Sequence, residues 1–136
     1  IIGKMFSFFY DPKTKESLSW YDRFPLVIPV QETVDGFVGL NLHYLNPKMR
    51  MLFMSKLVKF VSDENYDEKT RMRLTWRLVN TGTLRRYALP SVKRYIRGNI
   101  KSRLLEFQAE EWVMAVFLPT ERFKGATKQL VWKESL

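Results

Sequence analysis

Eleven basic side chains lie in a stretch that holds no carboxylate. Between Lys69 and Leu105 there is neither Asp nor Glu, while Lys69, Arg71, Arg73, Arg77, Arg85, Arg86, Lys93, Arg94, Arg97, Lys101 and Arg103 all fall within it. The rest of the chain carries twelve Lys/Arg against fourteen Asp/Glu, so the formal net charge of +9 resides in this middle third. One-signed charge of this density repels itself unless an anionic partner offsets it. Eight of the eleven are Arg, whose planar fork pairs bidentately with phosphate. The pattern points to nucleic acid or another large polyanion. The alternative is a solvated surface whose Arg stems cover apolar area. No zinc-finger spacing, helix-turn-helix or RNP pattern is present, so contacts with duplex DNA should fall on phosphates rather than base edges. Exposed rings such as Tyr87 or Tyr95 have the chemistry to stack on a frayed base, although tyrosines in such places are more often core.

Residue types that carry catalysis are sparse. There is one histidine, His43, and no cysteine. Thiolate chemistry and disulfides are therefore excluded, and a zinc site would need carboxylates in unusual number. His43 sits between Leu42 and Tyr44 in a segment that alternates as a strand, where a lone histidine is more often hydrogen-bonded structure than ligand or base. Asp63, Glu64, Asp67 and Glu68 have the composition of a Mg²⁺ site, but acids also favour the positive end of a helix, and that role is expected here. Glu121 and Lys124 have the Glu-x-x-Lys spacing of some nucleases without a matching upstream Asp. No phosphate-cradling Gly-rich loop or nucleophile elbow occurs. The reading is of a binding protein, not an enzyme, with no cofactor.

The elements that position these residues follow from length and pattern. At 136 residues with 46% apolar content, the chain makes one domain, or a small barrel joined to a helical lobe. Its longest apolar run, Trp112 to Leu118, is far short of the roughly 20 residues that span a bilayer, so no membrane partner is expected. No signal-peptide layout is present, and zero cysteines fits a reducing compartment. The chain opens on Ile1 rather than Met, which predicts processing or a longer parent.

Residues 1–45 read as strands. Met5 to Tyr10 is an aromatic β-prone run closed by the turn Asp11-Pro12-Lys13. Phe24 to Val30 is extended, and its Pro25 and Pro29 place it at a sheet edge or at a bulge. Asp35-Gly36 signals a hairpin, followed by an alternating strand through Tyr44. Short strands with tight turns suggest an SH3-like antiparallel sheet curling into a barrel. Residues 46–136 read as a mainly helical, basic part packed with it, giving an α+β fold. Asn46-Pro47 is a cap followed by a first helical residue, and the apolar stripe Leu52, Phe53, Leu57, Phe60 and Val61 continues from it. A second helix is expected from about Asp67 to Asn80, with Met72, Trp76 and Val79 buried and Gly82 past its end. A third is expected from Pro90, with Val92, Tyr95 and Ile96 inward and Lys93, Arg94 and Arg97 outward. Arg85 and Arg86 fall in the loop between. Ile100 to Phe107 reads as a strand and Trp112 to Leu118 as a well-buried short helix stopped by Pro119. The basic groups would then form one stripe on each of two helices, with Lys69, Arg73 and Arg77 sharing a face of the first and Arg71 pointing elsewhere.

Two stretches carry a family resemblance. One is Tyr10-Asp11-Pro12-Lys13-Thr14-Lys15, then Tyr21-Asp22-Arg23-Phe24-Pro25-Leu26-Val27 and Gly39-Leu40-Asn41-Leu42-His43-Tyr44-Leu45. The other is Glu110-Glu111-Trp112, then Phe117-Leu118-Pro119-Thr120-Glu121-Arg122-Phe123 and Val131-Trp132-Lys133-Glu134-Ser135. Together they resemble the DNA end protector (head completion) proteins of T4-like tailed phages. The resemblance implies a protein that caps the ends of packaged linear double-stranded DNA and shields them from host exonuclease after injection. It also implies an association with the head and neck of the virion, portal and neck proteins as partners, and no cofactor. It carries over no site residues, so the site expectation rests on charge. The other reading is a structural head or neck protein whose basic segment docks on an acidic protein ring. A metal-dependent nuclease is the third.

Overall fold

Leu26-Val27-Ile28-Pro29-Val30 is apolar without alternation, the mark of a strand covered on both faces. The computed structural model, which describes residues 2–12, 18, 20–63, 65–82, 84–117 and 121–134, places it at the centre of a sheet. Expectations resting on Lys13, Glu64, Leu118 and Pro119, and on the side chains of Phe60 and Val61, lie outside the described residues. Seven strands are described: β1 (Met5–Ser7), β2 (Tyr21–Asp22), β3 (Leu26–Thr33), β4 (Gly36–Asn41), β5 (Val92–Ile96), β6 (Leu105–Phe107) and β7 (Phe123–Lys124). The helices are α1 (Pro47–Ser62), α2 (Glu68–Val79), α3 (Leu84–Ala88), α4 (Trp112–Phe117) and α5 (Lys128–Glu134). The main sheet runs β5-β4-β3-β1-β6, antiparallel throughout, and β2 pairs with β7 apart from it.

Several expectations change here. The sheet is open, not a closed barrel: β2 leaves it to pair with β7, and the late strands β5 and β6 add to opposite edges instead of meeting. Strand β3 is central, and its proline is accommodated by the other device foreseen, a bulge between Pro29 and Gln31. Pro90 opens a 3-10 turn over Leu89–Ser91, and the segment expected to be a third helix is strand β5. Val-Lys-Arg-Tyr-Ile is β-branched and aromatic, and the open edge of β4 satisfies its backbone, which outweighs the helix-start signal. Arg85 and Arg86 lie on short helix α3 rather than in a loop. His43 lies in a 3-10 turn, Leu42–Tyr44, because Asn41 ends β4 and its side chain accepts from the His43 N–H at 3.0 Å. Helix α4 is two-sided: Trp112, Ala115 and Val116 are buried, whereas Val113, Met114 and Phe117 are exposed.

Other features form as read. Asn46 caps α1, accepting from the Met49 N–H at 3.0 Å, and Asp67 caps α2. Met5, Leu26, Ile28, Val30 and Leu40 join Phe53, Leu57, Val79, Trp112 and Val116 between the sheet and the helices. On the opposite face Phe6, Phe8, Tyr10, Val27, Phe37 and Tyr95 form a second cluster, with Phe8 edge-on to Tyr95 at 5.4 Å. Ile100 and Leu104, on the segment linking β5 to β6, cover that cluster.

The hairpin turn falls on Val34 and Asp35, with Thr33 opposite Gly36. Gly36 is needed for a different reason than turn geometry: a Cβ there would collide with the Tyr95 carbonyl oxygen of β5. Backbone cannot move aside as a side chain can. Gly36→Ala is therefore expected to destabilise by about 1–3 kcal/mol, read as a lower urea midpoint. Gly98→Ala, with nothing within 4 Å of its Cβ, is the control that should stay near wild type.

Candidate nucleic-acid interface

On α2, Asp67 fixes the start of the helix, its Oδ1 accepting from the Thr70 N–H at 2.7 Å; hydrogen bonding from the Thr70 side chain, and then from this N–H, holds the carboxyl below its ordinary range. Thr75 and Val79 are fully buried, which turns Lys69, Arg73 and Arg77 outward as one exposed stripe at i, i+4, i+8. Arg71 leaves this stripe, half-buried with its stem beside Gly3. Arg85 and Arg86 are exposed on α3, the Arg86 guanidinium 5.9 Å from the Tyr87 ring.

The second group lies on the sheet edge and not on a helix. Alternation along β5 puts Val92, Arg94 and Ile96 on one face and Lys93 with Tyr95 on the other. Arg94 is exposed and donates to Asp35 Oδ1 at 2.8 Å, a hydrogen bond that lowers the Asp35 pKa. Arg97 is exposed in the 3-10 turn after β5, its N–H donating to the Asp35 carbonyl at 2.8 Å. Lys101 and Arg103 are exposed on the link to β6 that Ile100 and Leu104 anchor. Most of the eleven cations are thus displayed on α2, α3, edge strand β5 and the strap beyond it.

Lys93 behaves differently. It is half-buried with its ammonium 4.1 Å from the centre of the Tyr44 ring, and burial lowers its pKa. It forms part of the wall of a cavity of about 390 Å³ together with Trp20, Tyr21, Tyr44, Tyr95 and Asn99. Asp22 lies at this cavity and is 5% exposed. Its Oδ2 takes hydrogen bonds from Asn41 Nδ2 (3.1 Å) and His43 Nδ1 (2.7 Å), and its Oδ1 accepts from the Phe24 N–H. His43 is therefore a buried, hydrogen-bonded residue that fixes the chain after β4. Burial, with the Asp22 charge second, raises the pKa of both Tyr44 and Tyr95, so both remain neutral phenols at physiological pH.

The residues weighed for catalysis are used in structure. Among the acidic group, Asp67 caps α2 and Asp63 accepts from the Asn65 N–H at 2.9 Å. Among the described residues no group of three or more His, Cys, Asp or Glu is placed to hold a metal ion. Glu121 is buried against Arg50, away from any pairing with the exposed Lys124. Two groups escaped the sequence reading: Arg50, buried on α1, and the aromatic cavity around Lys93. Arg50 had a signal, since it shares the helical phase of the buried Phe53, Met54 and Leu57. The cavity had none, because its walls come from five separate segments.

A one-signed, Arg-rich surface on an α+β scaffold has the chemistry of a polyanion-binding protein. The chain belongs to the family of the Phage T4 terminal DNA protecting protein, whose model matches residues 1–135. No curated protein and no solved structure matches it. It is a phage protein of a family named for protecting DNA termini and not for a catalysed reaction. No helix among the described residues is long and apolar enough to cross a membrane.

Proposed function

We propose that the protein binds the ends of linear double-stranded DNA without regard to sequence, protects them from host exonuclease and completes the phage head. The observation that carries this is the exposure of the carboxylate-free tract in a family named for terminal DNA protection. Lys69, Arg71, Arg73, Arg77, Arg85, Arg86, Lys93, Arg94, Arg97, Lys101 and Arg103 are the proposed DNA-binding set. Arg71 and Lys93 contribute least to phosphate, being half-buried. Guanidinium contacts to phosphate carry no base information, which makes the binding sequence-independent. The protein would act in the virion head and neck, beside portal or neck proteins, and stay on the DNA in the host cytoplasm after injection.

Exonuclease protection of a linear duplex, with closed-circular DNA of the same sequence as competitor, tests this reading. Protection that circles fail to remove supports recognition of a terminus. Equal competition leaves a general duplex binder. Absence of binding at low salt overturns the DNA assignment and directs the basic tract to an acidic protein ring.

A further inference from the structure

We infer that the cavity beside β5 is a pocket for the terminal nucleobase of the bound duplex, and that it supplies the preference for ends; this rests on the duplex-end reading above. Its walls are the rings of Trp20, Tyr21, Tyr44 and Tyr95, and its volume of about 390 Å³ is in the range that holds a small molecule. The half-buried Trp20 and Tyr21 offer ring surface on which any base can stack, whatever its identity. Two donors at the cavity are without a partner: among the described residues, Asn99 Nδ2 is buried with no hydrogen-bond partner, and the Lys93 ammonium lies against a ring with no carboxylate paired to it. The acceptors nearby are occupied: Asp22 by Phe24, Asn41 and His43, and Asn41 Oδ1 by the N–H groups of Leu26 and His43. A phosphate would be repelled by the Asp22 carboxylate, whereas an uncharged base edge with carbonyl or ring-nitrogen acceptors can accept from Lys93 and Asn99.

Position agrees with chemistry. The strand that forms the pocket wall, Val92–Ile96, runs directly into Arg97, Lys101 and Arg103. Cations on the strap hold the backbone of the duplex while its last base turns into the pocket. A terminal pair has a stacking neighbour on one side only, so extruding its base costs less than extruding an internal one, the difference that favours damaged or unpaired bases in base-flipping proteins. Charge on α2 and β5 then gives affinity, and the pocket gives selection of the terminus.

The test places 2-aminopurine at the terminal position or at an internal position of a linear duplex and follows its emission on adding the full chain. Emission should change for the terminal probe alone. Trp20→Ala and Asn99→Leu should each lower the ratio of linear to circular affinity by about tenfold, the scale of one base stack or its anchoring, while affinity for circles is retained. Asn99→Leu breaks no hydrogen bond made by Nδ2 among the described residues, so it decides the matter if Trp20→Ala loses binding to both forms through misfolding. A silent terminal probe, or a linear-to-circular ratio unchanged in Asn99→Leu, overturns the pocket. Wild-type protein that binds circles and ends equally also overturns it while leaving the charge-based reading intact. No binding to either form removes both.

Discussion

Replacing Arg73, Arg77, Arg94 and Arg97 together by Glu is expected to abolish duplex binding at physiological salt. Each reversal removes two units of positive charge, so the four take the formal charge from +9 to +1. For every phosphate no longer neutralised, the slope of log affinity against log salt also falls by about 0.9. A protein that neutralises about six to ten phosphates already loses roughly three to five orders of magnitude in affinity between about 50 and 200 mM salt. Four local repulsions added to that dependence leave nothing measurable. All four side chains are exposed, and no core residue changes, so the fold should remain. Arg94 also pairs with Asp35, but an exposed pair contributes little to stability. The control reverses Lys48, Lys56, Lys59 and Lys133, which are exposed outside the tract, with the same change in net charge. That variant should bind with a modest loss from the weaker overall field. Equal losses in the two sets would show that net charge, and not the tract, holds DNA.

Truncating Arg50 has the largest expected effect on the fold. Its side chain is 2% exposed and makes four connections in three parts of the chain. Nε donates to the Leu45 carbonyl (2.7 Å), Nη1 to that of Val116 (3.3 Å), and Nη2 to that of His43 (3.3 Å) and to Glu121 Oε1. The guanidinium also lies 5.3 Å from the Trp132 ring, while Trp132 Nε1 donates to the same His43 carbonyl at 2.8 Å. Helices α1, α4 and α5 and the turn after β4 are thus tied at one cation. Burial lowers the pKa of Arg50 from its high ordinary value, and Glu121 and Asp22 oppose that shift. Removing it leaves the Glu121 carboxylate, 4% exposed and with Oε2 already unpartnered among the described residues, as a buried lone charge. Arg50→Ala should cost about 3–5 kcal/mol, the usual penalty for breaking such a pair. Arg50→Met with Glu121→Leu should recover most of it, because no charge is then stranded.

The same pair sets an acid limit. Burial alone would raise the Glu121 pKa, but its backbone hydrogen bond and Arg50 outweigh burial and hold it below the ordinary 4.5. A depressed carboxyl contributes stability above its unfolded pKa and loses it as pH falls through the lower folded value. Chemical-denaturation midpoints should therefore be flat above about pH 5 and fall below 4.5. In Glu121→Gln the acid-side fall should be smaller.

Much of the architecture was legible in local patterns. The caps Asn46 and Asp67 and the hairpin at Asp35-Gly36 are short-range signals, and each formed close to its expected place; on α2 the expected Val79 is buried, but Thr75 joins it while Met72 and Trp76 are only half-buried. Reading failed where the decision was made by a distant partner. Pro90 and the residues after it fit a helix start, yet β4 offered an unpaired edge and Val92–Ile96 took it. Pro29 allowed β3 either an edge or a bulge, and the partners decided between them: β1 pairs with it on one side and β4 on the other, so the strand is central and bulged. Arg50 was legible only as a cation on a buried helical phase, and nothing local names Glu121 as its partner 71 residues on.

The sequence by itself determined what the molecule can attract. Charge sign, its concentration between Lys69 and Leu105, the excess of Arg and the lack of thiols are properties of composition and order, and no fold alters them. Tertiary structure decided where that attraction is displayed. Backbone pairing turned the second half of the basic tract from a helix face into a sheet edge and strap, exposing Arg94, Arg97, Lys101 and Arg103 while drawing Lys93 inward over Tyr44. The aromatic cavity exists only because residues from Tyr10 to Asn99, spread over separate segments, meet at that edge. Pairing of this kind depends on contacts between residues far apart in the chain, and local periodicity carries no record of them.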